Sequence, residues 1–438
     1  MTKKFEFITI TIAIVLMALS AKAQFTLTGE IRPRVEYRHG YQSPLDSAQT
    51  GSVFTSQRTR LNFGYVASNF KVGISLQDVH VWGSESQSVS NYTNTSTFIQ
   101  QAWGQYWFHS KISIKAGRQE LSYDDERLFG AVNWQQQGRM HDAFLLVYED
   151  TVSRFTAHAG IAYNQDKESN TAIAYSIPKN YKEMQFLWMH KKMNNFGISL
   201  LFLNNGAQST ASVNSTRYFQ TIGTHLEYNK NKFSLAGRFY YQTGEDAAKK
   251  DMAAYMGGLD LTYSATKKFS IGIGFEMLSG QSQTDTTNAY KEKNHTFNTL
   301  YGTAHKFNGY MDYYYAGNAH GNVGLTDMYL KLKYKTTRYW ISLDFHQFMA
   351  EANVLNKQEK LASGKYSAMN SNLGSEIDFT LAYNFSPLFN VQFGYSQYFT
   401  TSTIAGLKGV TDYKNVGYTD KTANWAYLML TFKPNFSK

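Results

Sequence analysis

Residues 25–38 read Phe25-Thr26-Leu27-Thr28-Gly29-Glu30-Ile31-Arg32-Pro33-Arg34-Val35-Glu36-Tyr37-Arg38. Taken alternately, they separate an apolar row (Leu27, Ile31, Pro33, Val35, Tyr37) from a polar one (Thr28, Glu30, Arg32, Arg34, Glu36, Arg38). A period of two belongs to an extended strand whose side chains alternate between two faces. The block is longer than the five or six residues usual in globular strands. It suits a tilted membrane strand, which needs about 9–11. The same alternation recurs at 268–277, 327–335 and 376–385, where Phe269, Ile271, Ile273 and Phe275 oppose Ser270, Gly272, Gly274 and Glu276.

The connections carry as much information as the strands. Tight turns are expected near 68–69, 109–110, 150–151, 191–195, 229–231, 265–267, 336–337 and 386–388. Long polar stretches lie near 39–54, 82–96, 119–140, 164–179, 204–215, 243–251, 278–324, 349–373 and 400–423. Short and long alternate strictly, which predicts 18 strands with both termini on the short-turn side. Outer-membrane barrels have an even strand number, short periplasmic turns and long external loops. The expected fold is therefore all-β: a transmembrane antiparallel up-and-down β-barrel of about 18 strands. The strand-like block 307–316 would break the alternation, so it is assigned to the long connection 278–324, as a loop hairpin or a segment folded into the lumen.

Composition agrees. The 438 residues include 7 Trp, 32 Tyr and 30 Phe, but only 5 Pro and no Cys. Trp and Tyr collect at membrane interfaces, and Trp103, Tyr106, Trp107, the pair Tyr240 and Tyr241, and the pair Tyr339 and Trp340 are read as girdle residues. Proline cannot donate to a closed ladder. The absence of Cys excludes disulfide scaffolds, thiolate metal sites and a cysteine nucleophile. Charged residues make up 17%, against roughly 25% in soluble chains.

Residues 1–23 read as a secretory signal peptide. Lys3 and Lys4 precede an apolar run from Ile8 to Leu19, and Ala21-Lys22-Ala23 forms the cleavage signal. The barrel domain is expected over 24–438, with its lipid face in contact with lipopolysaccharide. An aromatic near the C-terminus, Phe436, resembles the signal read by the barrel assembly machinery. Without the leader the chain keeps 40 basic against 32 acidic residues, a net +8.

Arg or Lys facing lipid at mid-membrane costs about 2–4 kcal/mol, so charged rows must face the lumen. The expected inward cations are Arg32, Arg34, Arg38, Arg58, Arg60, Lys111, Lys115, Arg154, Lys232, Arg238, Lys331 and Lys333, with Lys111 and Lys232 close to bulk water. The acids are Glu30, Glu36, Glu276, Asp327, Asp344, Glu376 and Asp378. The balance predicts a positive channel, and positive rings favour anions. Arg adds a planar fork suited to carboxylates.

Other chemistry is not encoded. H-E-x-x-H, G-x-x-x-x-G-K-[ST] and G-x-S-x-G are all missing. No catalytic residue, cofactor or metal site is expected, and no nucleic-acid partner. The loop acids Asp124, Asp125 and Glu126 are expected to pair with neighbouring arginines.

The run Gly117-Arg118-Gln119-Glu120-Leu121-Ser122-Tyr123-Asp124-Asp125-Glu126-Arg127-Leu128-Phe129-Gly130 resembles the alginate export porin family. The likeness continues at Asn133-Trp134, at 138–142, from Leu300 through Tyr315, at 325–334 and at 373–378. It implies an 18-stranded outer-membrane barrel with an arginine-rich constriction for an acidic polysaccharide. The motif residues fall on Arg118, Asp125, Glu126, Arg127 and Arg139. The expected function is passive passage of anionic solutes across a Gram-negative outer membrane, with acidic oligo- or polysaccharide as the solute. The alternatives are a structural or adhesive barrel with a plugged lumen, or an enzyme scaffolded on the barrel rim.

Overall fold

The computed structural model describes residues 24–45, 49–84, 97–168, 170, 181–210, 215–314, 320–410 and 422–437. The expected leader therefore lies outside the described residues. The first strands are β1 (Gln24–His39), β2 (Ser52–Val66), β3 (Phe70–Val81), β4 (Thr97–His109), β5 (Ile112–Gln119) and β6 (His141–Asp150). Next come β7 (Phe155–Tyr163), β8 (Glu183–Met193), β9 (Phe196–Gln208), β10 (Thr216–Lys230), β11 (Phe233–Glu245) and β12 (Asp251–Ser264). The last six are β13 (Phe269–Leu278), β14 (Leu325–Lys335), β15 (Tyr339–Met349), β16 (Asn372–Ser386), β17 (Phe389–Thr400) and β18 (Thr422–Phe432). Each pairs antiparallel with its sequence neighbours, and β18 returns to pair with β1. A two-residue segment, Lys293–Asn294, adds a short parallel bridge to β12 and leaves the ring of 18 intact.

Closure removes the edges that lipid could not hydrate. At the seam, Ile31 lies opposite Phe432 and pairing resumes at Arg34 opposite Met429. The skipped residues include Pro33, which has no N–H to give. Past β18 the tail keeps to the wall, with Gly29 N–H donating to the Pro434 carbonyl and Phe436 N–H to that of Leu27, both at 2.9 Å.

The alternation of connections holds around the ring. Tight turns occupy 67–69, 110–111, 151–154, 194–195, 231–232, 265–268, 336–338 and 387–388. Asn194 and Asn231 take left-handed backbone there, with φ of 46° and 54°, which asparagine tolerates better than most residues. The connection expected near 243–251 shrinks to 246–250, because β11 and β12 extend further than their sequence pattern suggests.

Parity sorts the two faces as expected. On β1, Ile31, Val35 and Tyr37 are exposed on the outer wall, while Arg32, Arg34 and Glu36 are buried inside. Ile222, Leu146 and Ile273 belong to the same outward surface. The block after Phe307 is no strand: residues 307–314 fold into the barrel, and 315–316 lie outside the described residues.

The aromatic reading needs correction. Tyr106 and Tyr241 face outward as girdle residues, but Tyr240 is 2% exposed on the inner face. Trp103 and Trp340 also point inward, against Lys115 and Lys333. Much of the aromatic content packs inside the barrel, where Phe129, Phe297, Tyr313, Phe348, Tyr398 and Trp425 are fully buried. Their hydroxyls find partners there. Tyr313 donates to the Gly40 carbonyl at 2.9 Å, and Tyr314 pairs with Tyr398 at 2.6 Å.

Two arginine insertions test the face assignment. Ile222→Arg, on the outer wall, should lower the folding free energy in bilayers by about 2–4 kcal/mol. Ser234→Arg, inside, should change it far less. Denaturant titration of the refolded barrel separates the two; equal losses would contradict the parity.

Candidate functional site

The inner rows of β1 and β2 place arginines against arginines. Arg32 is in register with Arg58, and Glu30 with Arg60. Four guanidinium groups on one patch would repel one another, and Glu30 and Glu36 supply only part of the compensation. Arg58 pairs with Glu30 at 2.5 Å, and Arg34 with Glu36 at 2.8 Å. The remainder comes from the connection between β5 and β6, which folds inward. Arg32 donates to the carbonyls of Asn133 (2.9 Å), Trp134 (3.2 Å) and Gln135 (3.1 Å), and to Gln136 Oε1. Arg34 donates to the Trp134 carbonyl at 3.0 Å and lies 4.5 Å from the centre of that indole. Arg58 reaches the carbonyls of Asn133 and Gln135 at 3.3 Å. Loop carbonyls whose partner donors are buried guanidiniums make strong, charge-assisted bonds. The arginine patch therefore holds the segment 133–136 against the wall.

Arg60 completes the patch with bonds to Gln77 Oε1 and Asn133 Oδ1, and one of its terminal nitrogens is buried without a partner among the described residues. Trp134 also stacks on His305 with centroids 4.5 Å apart, which ties this segment to a second one.

That second inward segment comes from the connection between β13 and β14. The two touch backbone to backbone: Gly130 N–H donates to the Tyr301 carbonyl and Thr303 N–H to that of Glu126, both at 2.9 Å. Any side chain at Gly130 would run into Thr303, and any at Gly302 into the Arg127 backbone. Arg139 donates across the same contact to the Gly302 carbonyl at 2.9 Å. Leu121, Leu128 and Phe129 are buried in the apolar core shared with Phe297.

Arg127 and Arg238 bind these segments to the opposite wall. Arg127 meets Glu276 at 2.5 Å, with side chains 2% and 1% exposed, and also bonds Asn308 Oδ1. Burial pulls the Arg127 guanidinium below its ordinary range, and the Glu276 carboxylate opposes that shift. Arg238 bonds Asp260 (2.7 Å), Asp125 (2.9 Å) and Glu276 (3.2 Å). Beneath them, towards the short turns, a cavity of about 300 Å³ is lined by Asp260, Lys306, Phe307, Tyr329 and Lys331 among others.

The expected residues thus separate. Arg32, Arg34, Arg58 and Arg60 meet the segment 133–136, Asp125, Arg127 and Arg238 gather at Glu276, and Arg139 lies at the contact between the two inward segments. Glu126 sits at its edge, 3.5 Å from Lys306. Lys331 pairs with Asp344 at 3.5 Å, and Lys333 lies exposed over Trp340 nearer the short turns. Arg154 does not join them: it ends the turn 151–154, exposed, with φ of 53°. Parity extended one residue past a strand end assigned it a face it does not have. Lys111 and Lys232 likewise sit in turns.

Arg118 is also displaced. On β5 the inner residues are Ser113, Lys115 and Gln119, so Arg118 points outward, where it grips Asp142 at 2.8 Å with both side chains about half exposed. The loop acids pair with distant cations, Asp125 with Arg238 and Glu126 with Lys306, rather than with their arginine neighbours in sequence. Asp260, Asn308 and Trp134 were not anticipated as parts of the site. Asp260 carried a signal, since it alternates with Leu259 and Leu261 on β12. Among the described residues no group of three or more His, Asp or Glu is placed to hold a metal ion.

A family model described as alginate export matches residues 23–412. No curated protein matches the chain in sequence. Among solved structures, Pseudomonas aeruginosa OpdO aligns over 94% of this chain and 98% of its own, with TM-score 0.60 and 11% identity. OccAB4 of Acinetobacter baumannii gives 0.58 and 11%, over the same shares of each chain. The outer membrane protein OpdK of Pseudomonas aeruginosa gives 0.56 and 10%, over 94% and 99%. At such identities the likeness concerns the fold alone, a closed β-barrel shared with these outer-membrane proteins. The closed ring of 18 antiparallel strands has the fold of an outer-membrane barrel.

Replacing Glu276 tests the inner ion pairs. Glu276→Gln leaves Arg127 buried without a carboxylate, a loss of about 3–5 kcal/mol for a broken buried pair. Lys331→Gln removes a partly exposed pair and should cost no more than about 1 kcal/mol. Denaturant unfolding measures both, and tryptic cleavage at Arg127 in the folded Glu276→Gln barrel should rise. Equal small losses with no new cleavage would contradict the arrangement.

Proposed function

The chain belongs to the alginate export family, and we propose that it is a passive outer-membrane channel for anionic solutes, with acidic oligo- or polysaccharide such as an alginate-like polyuronate as its cargo. The observation that carries this reading is the patch of Arg32, Arg34, Arg58 and Arg60, four cations that, among the described residues, face the wall carboxylates Glu30 and Glu36 and the loop carboxylate Glu120. Carbonyl oxygens accept from Arg32, Arg34, Arg58 and Arg60 there but carry no net charge. A positive potential therefore remains along the β1–β2 wall, and it favours entry of anions. The opposite wall is closer to neutral, because Asp125, Asp260 and Glu276 surround Arg127 and Arg238. An acidic chain would accordingly run along the β1–β2 side.

The barrel would reach the membrane through the assembly machinery, which its aromatic C-terminal strand suits, and would sit among lipopolysaccharide acyl chains. The close packing of the two inward segments favours a second reading, a barrel plugged for a structural or adhesive role.

Planar bilayers distinguish the two. Under a potassium chloride gradient the purified protein should conduct with a reversal potential of anion preference. Arg32→Gln combined with Arg60→Gln should move that potential towards zero. Cation preference would sink the anion claim, and the lack of any conductance would favour the plugged barrel.

A further inference from the structure

On the lumen wall nearer the short turns, three strands build a platform that the constriction does not use. Trp103 of β4 is in register with Gly73 of β3 and Gly117 of β5. A side chain at Gly73 would come within 2.7 Å of the indole, so the glycine allows the ring to lie close against the wall. The indole N–H donates to Gln101 Oε1 at 3.0 Å, which fixes its orientation. One step towards the turns, Lys71, Gln105 and Lys115 form a single row across the same strands. Gln105 is held by Ser113 at 2.9 Å.

Both ammonium groups reach towards the ring, Lys115 at 4.0 Å and Lys71 at 5.7 Å from its centre. Neither forms an ion pair among the described residues, in contrast with Arg34, Arg58, Arg127 and Arg238. The charges that act on Lys115 are the Lys71 ammonium and, more weakly, the Glu120 carboxylate. Two like charges beside one aromatic face repel each other unless an anion lies between them. The Lys115 ammonium lies over the ring face and Lys71 further out. A pyranose takes that face with its C–H groups once the Lys115 ammonium moves off it onto the sugar's carboxylate, which Lys71 shares.

We propose that Trp103, Lys71 and Lys115 form a binding subsite for a carboxylated sugar, at the short-turn mouth of the lumen and ahead of the constriction. The subsite rests on the channel reading above and deepens it: the mouth would hold one uronate unit by its ring and its carboxylate together. Neutral sugars would lack the second contact, and simple anions the first.

Single-channel recording tests this, with trigalacturonate as probe and maltotriose as a neutral control of equal length, each added at the short-turn side. Trigalacturonate should interrupt the current, and maltotriose should do so far more briefly. Trp103→Ala and the pair Lys71→Gln with Lys115→Gln should each shorten the trigalacturonate events by about tenfold, the loss of one good contact. Trp103→Phe should retain most of the block. Heat-modifiable gel mobility confirms that each variant is folded, and the lysine pair leaves the platform itself intact. Unchanged block in both variants, with anion preference intact, would overturn the subsite alone. Wild-type cation preference would instead remove the channel reading on which it rests.

Discussion

Hydrocarbon offers no hydrogen bonds, so each backbone N–H and C=O within the membrane must find its partner inside the wall. Eighteen strands meet that demand only because β18 returns to β1. Closure then makes the two-residue period decisive. Every wall residue faces either lipid or lumen, and at mid-membrane a charge has one affordable direction. The outward pair Arg118–Asp142 sits at the long-loop end of β5 and β6. The concentration of arginine inside the barrel follows from this sorting before any role in transport is considered.

Charges gathered inside must in turn be compensated. Carboxylates answer part of that need, as with Arg58 and Glu30, or Arg127 and Glu276. Loop carbonyls answer the rest, as with Arg32 and the backbone of 133–135. The inward segment 133–136 is therefore the means by which a crowded guanidinium patch becomes tolerable, its carbonyls offering dipoles where carboxylates are few. The two inward segments then close on each other through Gly130 and Gly302, the points where backbones meet.

What could be read from the sequence follows the range of the forces involved. Strand number and inward charge were legible, because alternation and loop length are local patterns. Arg154 was misplaced because period-two counting does not stop at a strand end. Arg118 was misplaced because a motif names residues without naming the face they occupy on β5. Trp103 and Tyr240 were read as girdle residues, since composition cannot separate an aromatic in lipid from one inside a lumen where tyrosine hydroxyls find partners. The inward course of 120–140 was legible only through the family resemblance. Its anchors on β1 lie about a hundred residues away in sequence, as with Arg32 and Asn133.

The central claim is that the β1–β2 arginines hold the constriction in place as well as lending it charge. Single-channel conductance of a barrel carrying Arg32→Ala, Arg34→Ala and Arg58→Ala together tests it most directly. If these side chains fasten the segment 133–136, their removal should release it and raise both the conductance and its fluctuation, while anion preference falls. If they merely border an open passage, anion preference would fall while conductance and its noise stayed at the wild-type level, and that result would contradict the account.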